Sequence, residues 1–278
     1  MKPKTPSCGL ISAMGAAMLL AAASNATAVT LFTDTFDSGT GNWYRAGSSG
    51  TVSNVSGQLS WEPTQSAARE VVGRSIPTVT LGDGDFIRLT VDYTQNGATT
   101  GVADIYRLGI YNFTTPVTAA SWSQTSNIGA YTGYSGLFRD NSSAGNVLRY
   151  ESATDTSDLN TGPTVTTATD IGSDTDIFNV VPGTQYKLSL ELTRVSATQM
   201  NVLYQLTSMD GLTIHQSLSA STSNVVSTFD AVVFRSLAGA GYSGSLIDNA
   251  TLVSSVPEPD AALLGSLGVL ALLRRRRF

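Results

Sequence analysis

Cysteine, histidine and charge are all scarce in this chain. Its one cysteine is Cys8 and its one histidine is His215. Cys8 precedes the first apolar stretch, whereas a lipoprotein cysteine follows such a stretch, so lipidation is disfavoured. Once the leader described below is removed no cysteine remains, which excludes disulfides, thiol nucleophiles and cysteine-type zinc sites. A single histidine excludes the usual zinc and copper centres as well. Charged residues make up 13% of the 278 residues, against about a quarter in average soluble proteins. Basic residues are the scarcer sign. Between Val29 and Ser255 ten basic residues face nineteen acidic ones, a net charge of −9. Nucleic acid is therefore not an expected partner, because phosphate binding needs a basic face. Outside the two ends no stretch is long and apolar enough to span a bilayer.

Serine, threonine, glycine and asparagine stand where lysine and glutamate usually do. That mixture suits an exported β-protein, since threonine fits strands while glycine and asparagine fit tight turns. A core of about 225 residues is large enough to be stable without covalent staples.

The two ends carry addresses. Lys2 and Lys4 precede the apolar residues 10–23, and Ser24-Asn25-Ala26-Thr27-Ala28 follows. A positive start, a short apolar run and small residues at alternate positions make a secretory leader. Signal peptidase is expected to cut after Ala28, with Ala26 and Ala28 in its small-residue pockets, so residues 1–28 form the leader. The tail, residues 254–278, contains Val256-Pro257-Glu258-Pro259, an apolar segment at 261–273, then Arg274, Arg275, Arg276 and Arg277 before Phe278. That segment makes a helix of roughly 20 Å, short for a free-standing anchor. The arginines hold its end at the cytoplasmic face, and the prolines keep the preceding chain extended.

Pro-Glu-Pro, a short apolar helix and a terminal arginine cluster together resemble the PEP-CTERM sorting signal of Gram-negative bacteria. The resemblance covers only the tail. It implies transient insertion in the inner membrane and processing by an exosortase. It further implies a destination at the cell surface or in the extracellular matrix, commonly alongside exopolysaccharide.

Between the ends, residues 29–253 show period-two alternation. In residues 185–194, Tyr186, Leu188, Leu190 and Leu192 fall on one face. In residues 85–94, Ile87, Leu89, Val91 and Tyr93 do the same. Met200, Val202, Tyr204 and Leu206 form a third set. Residues 104–113 and 229–237 read as further strands, the latter apolar on both faces. Ser56-Gly57, Gly82-Asp83-Gly84, Asn96-Gly97, Pro182-Gly183 and Asp210-Gly211 punctuate the runs, and no internal segment shows a sustained helical period. The pattern predicts one all-β domain, an antiparallel β-sandwich of about a dozen strands. Asp34-Thr35-Phe36-Asp37 with Trp43 downstream, and the closing Ile247-Asp248-Asn249-Ala250-Thr251-Leu252, resemble jelly-roll domains of the concanavalin A-like type. That resemblance implies that the first and last strands lie side by side. Its members bind sugars, hydrolyse them or act as adhesion modules. Residues 133–141 and 241–249 agree at six of nine positions; two similar turn-to-strand junctions explain this better than a duplicated domain.

Candidate chemistry is sparse. Glycoside hydrolysis needs two carboxylates flanking the bond, and the hydrolases of this superfamily carry them on one strand as Glu-x-Asp. The exported part has only Glu62, Glu70, Glu151 and Glu191, none with aspartate two residues on. Carboxylates from separate strands stay open as an alternative. His215 lies in a strand pattern without a Gly-x-Ser-x-Gly elbow, and reads as structural. Calcium needs only oxygen ligands. Asp34, Asp37, Asp248 and Asn249 are candidate ligands if the terminal strands pair, and Asp170, Asp174 and Asp176 are a second group; turn capping is the competing reading for both. For sugar stacking, residues 114–141 offer Trp122, Tyr131, Tyr134 and Arg139, with gap filling as the competing role. The resulting expectation is a non-enzymatic surface or matrix protein with a structural or carbohydrate-binding role linked to exopolysaccharide. The alternative is a secreted hydrolase or lyase with dispersed carboxylates.

Overall fold

Alternating burial along the strands translates into two antiparallel sheets packed face to face. A computed structural model describes residues 28–46, 51–62, 69–96, 106–118, 130–139, 145–153, 168–176, 178–237 and 244–255. The leader up to Thr27, Trp122 and the whole Pro-Glu-Pro tail lie outside these residues. Among the described residues no helix is long and apolar enough to cross a membrane.

Fifteen strands are described: β1 Val29–Asp34, β2 Tyr44–Ala46, β3 Thr51–Val55, β4 Gln58–Glu62, β5 Arg69–Thr80, β6 Phe86–Gln95, β7 Tyr106–Phe113, β8 Tyr131–Phe138, β9 Asn146–Ala153, β10 Ala168–Asp174, β11 Gln185–Ser196, β12 Gln199–Thr207, β13 Ile214–Thr222, β14 Thr228–Leu237 and β15 Ser245–Ser254. The eight-stranded sheet runs β13-β12-β11-β6-β15-β4-β3, with β1 also on β15; the seven-stranded sheet runs β10-β9-β8-β7-β14-β5-β2. The last strand holds the first. Val29 to Asp34 pair with Ser254 to Ala250, while the other end of β15 pairs with β4.

The inward sets on β6, β11 and β12 are those the alternation predicts, and all are buried in one core with Leu108, Ile110, Tyr134, Phe138, Val232 and Phe234 of the facing sheet. Rings lock the layers together. Phe138 of β8 stacks on Tyr204 of β12 with centroids 4.2 Å apart. A Cβ on Gly136 would lie 2.2 Å from the Tyr204 ring, so only glycine admits that ring. The strand at 228–237 is buried on both faces: Val232 and Phe234 belong to the central core, Ala231 and Val233 to a second cluster on the opposite side of the sheet. At the β3–β4 hairpin Ser56 and Gly57 take φ of 53° and 80°, the left-handed pair of a two-residue turn that matches strand twist. The two similar nonapeptides do not occupy equivalent places. Gly133 to Phe138 lie within β8, whereas Ser245 to Asn249 begin β15. The first is therefore strand interior, not a turn junction; its glycines make room for Tyr111 and Tyr204.

Candidate functional site

The terminal strands meet, but their acidic residues do not form a ligand set. Asp34 closes β1, and its carboxylate is fully engaged. Oδ2 accepts from Trp43 Nε1 at 2.9 Å and from Arg74 Nη1 at 2.9 Å, and Oδ1 accepts the Phe36 N–H at 3.0 Å. Arg74 in turn lies 4.3 Å from the Phe32 ring centroid, and Trp43 stacks on Phe234 at 4.6 Å. The Asp-x-Phe-Asp motif is thus a turn that drops Phe36, at a φ of 57°, into the core and fastens β1 to β5. A divalent cation does not suit an oxygen already paired with a guanidinium. Asp37 accepts from Thr35 Oγ1 at 2.7 Å. Asp248 accepts from the Asn249 N–H at 2.7 Å, and Asn249 donates to Asp92 Oδ2 at 2.8 Å. Among the described residues no three acidic or imidazole side chains are grouped to hold a metal. Asp174 likewise serves the fold: Asn146 Nδ2 donates to its Oδ1 at 2.7 Å, and also to the backbone carbonyl of Asp176 at 2.6 Å.

The sugar-stacking candidates that are described are buried. Tyr131 is 1% exposed, Tyr134 0% and Arg139 9%, so the tyrosines present no ring face and the gap-filling role holds for them. Tyr134 hydroxyl donates to the Asn224 carbonyl and accepts the Val226 N–H; burial pushes its pKa up to about 12. Arg139 Nη1 donates to the Gly145 carbonyl at 3.1 Å, and its backbone N–H reaches Asn146 Oδ1 at 2.9 Å. His215 stacks on Phe178 at 4.4 Å with Tyr186 edge-on at 5.4 Å, a structural placement.

A different constellation lies on the seven-stranded sheet, on the face turned away from the core. Strand register builds it. Arg235 of β14 stands directly opposite Arg107 of β7; Gly109 of β7 opposes Ser135 of β8, which opposes Arg149 of β9; Tyr111 opposes Gly133, which opposes Glu151. Gly109 and Gly133 leave the surface open for the Tyr111 ring: a Cβ on either would fall within 2.1 Å and 2.6 Å of it, respectively. The ring meets Phe113 and Tyr131 at 5.8 Å and 5.5 Å.

Polar groups converge beside these rings. Ser135 Oγ donates to Glu151 Oε1, Arg107 Nη1 lies 3.5 Å from the same oxygen, and Arg149 Nε pairs with Asp170 Oδ1 at 2.7 Å. Burial first, and then the charge of Glu151, drive the Tyr111 pKa far up, partly offset by Arg107 and the bond to Ser135. It stays a neutral hydroxyl. Arg235 is lowered to about 10, by burial first and the charge of Arg107 second, so it remains cationic at neutral pH. Like charges directly across a ladder disfavour the fold, and ionic groups taken out of water rarely beat an apolar packing of the same volume. Buried charges and a strongly shifted hydroxyl gathered in one place make the cluster a candidate functional site. Chemically it offers guanidinium donors, one carboxylate acceptor and hydroxyls. Alternation alone did not reveal it, because Arg107, Arg149 and Arg235 are single charges in otherwise apolar strands, brought together by pairing.

No family model matches the chain, and no curated protein matches it. Solved structures give weak likenesses. The chain is similar to peanut lectin with a 9mer peptide, at 12% identity and TM-score 0.49, over 82% of this chain and 97% of that one. It is similar to a protein of unknown function with a galectin-like fold from Bacillus subtilis, at 12% identity and TM-score 0.49, over 81% and 95%. Lectin I-B4 from Griffonia simplicifolia in its metal-free form gives 12% identity and TM-score 0.48, over 82% and 100%. What those proteins bind is no guide to this one.

Proposed function

We propose that the protein is exported, cut by signal peptidase after Ala28 and processed by an exosortase at its Pro-Glu-Pro tail. It then serves at the cell surface or in the extracellular matrix as a non-enzymatic sandwich that binds carbohydrate. The tail residues Pro257, Glu258, Pro259 and Arg274 to Arg277 carry the address. The observation that supports binding is the buried polar group on the seven-stranded sheet, away from the central core, where Ser135, Glu151, Arg107 and Arg149 converge and Arg149 Nη1 and Glu151 Oε2 make no hydrogen bond among the described residues. Buried donors and acceptors held in fixed places without partners are the polar groups that a saccharide's hydroxyls can satisfy. A structural role linked to exopolysaccharide is compatible with the same face.

The test is a glycan panel run on the exported protein together with a reducing-end assay. Binding without turnover is the expected outcome. Turnover abolished by Glu151→Gln would instead favour the secreted carbohydrate-active enzyme with dispersed carboxylates. In parallel, mass spectrometry of the surface protein should find residues 274–278 missing; an intact tail would contradict exosortase processing.

A further inference from the structure

The outer face of the seven-stranded sheet also points to the class of sugar. Between Val29 and Ser255 the chain carries nine more acidic than basic residues, so a polyanion approaching it meets net repulsion. Yet three of the ten basic residues there, Arg107, Arg149 and Arg235, are collected on this one face. Electrostatic complementarity of that local kind selects partners more than it adds affinity.

Arg149, itself 9% exposed in its side chain, is the member joined to an exposed one. Its Nε holds Asp170, whose side chain is 58% exposed, while its Nη1 is buried and makes no hydrogen bond among the described residues. A guanidinium presents Nε and Nη as a fork matched to a planar carboxylate or a sulfate. Asp170, the exposed member of the pair, uses one prong. Two residues along β9, on the same face, Glu151 Oε2 is likewise buried without a hydrogen bond among the described residues. Alternate residues of a strand stand roughly 7 Å apart, a spacing on the scale of one pyranose ring. A donor fork and a carboxylate acceptor on adjacent same-face positions of one strand suit a sugar with an acidic group at one end and a hydroxyl at the other.

We propose that Arg149, with Glu151 beside it, takes the acidic group and a hydroxyl of an anionic saccharide, a uronate or a sulfated sugar, so that the polysaccharide bound by this protein is a polyanion. The assignment rests on the carbohydrate-binding reading above.

Calorimetry on the exported full-length protein tests it with matched probes: oligogalacturonate, its methyl ester, a sulfated oligosaccharide and its desulfated form. The acidic member of at least one pair should bind ten-fold or more tighter than its neutral counterpart, and the pair that discriminates tells carboxylate from sulfate. Arg149→Gln should remove that preference. Asp170→Asn should strengthen acidic binding several-fold, an effect that misfolding does not produce. Arg88→Gln, on the other sheet beside Glu191, should change neither. Equal affinity for acidic and neutral members, or a preference unaltered by both Arg149→Gln and Asp170→Asn, overturns the assignment while leaving carbohydrate binding intact. Failure of the protein to bind any glycan, charged or neutral, overturns both.

Discussion

At the scale of the residue, Asp34 decides how the amino-terminal motif is understood. In sequence it stands with Asp37, Asp248 and Asn249 as four oxygen-bearing side chains on strands that pair. The pairing is real, yet Asp34 is held by Arg74, forty positions away, and by the indole of Trp43. Nothing local in the sequence links Asp34 to Arg74, and aspartate looks the same whether it binds a cation or caps a turn. The consequence is measurable. EDTA should leave the melting temperature unchanged, whereas Asp34→Ala should cost about 1–3 kcal/mol, the range for charged hydrogen bonds and orphaned partners, read by denaturant unfolding. A fall of several degrees on chelation would restore a metal to this end of the molecule.

At the scale of the element, period-two alternation was the legible part. Residues 185–194 carry their inward set on Tyr186, Leu188, Leu190 and Leu192, and β11 buries those four. The sequence was equally informative at 229–237, where apolar residues on both faces signal a strand covered on both sides. Residues 104–113 read as a strand and form β7, but β8 was missed, because Gly133 and Gly136 look like turn residues and are packing surfaces. Gly136 and Gly183 separate these roles. A methyl on Gly136 collides with the buried Tyr204 ring, whereas Gly183, at a φ of 77°, has open space around its Cα. Gly136→Ala should therefore cost more than the roughly 1–3 kcal/mol of ordinary overpacking, because the ring is stacked on Phe138 and has no free direction. Gly183→Ala should cost only about 1–2 kcal/mol, the left-handed backbone penalty. Equal losses for the two would show that Tyr204 yields.

At the scale of the whole molecule, sequence reading reached an antiparallel sandwich and the adjacency of the first and last strands. Which strands share a sheet was beyond it. Neighbours such as β5 and β6 lie in opposite sheets, whereas β14 joins β5 across about 150 residues. Pairings at that separation are set by side-chain fit across the finished core, which no local window contains. The polar group on the seven-stranded sheet is a product of those pairings, which is why no local stretch of sequence shows that Arg107, Ser135, Arg149, Glu151 and Arg235 come together on β7, β8, β9 and β14. The most direct test of that group is amide hydrogen exchange on the exported protein, with and without oligosaccharides cut from the exopolysaccharide of the producing cell. Slowed exchange is expected in peptides covering 106–113, 131–138 and 146–153, with 185–207 unchanged; protection confined to 185–222, or none at all, would contradict the account.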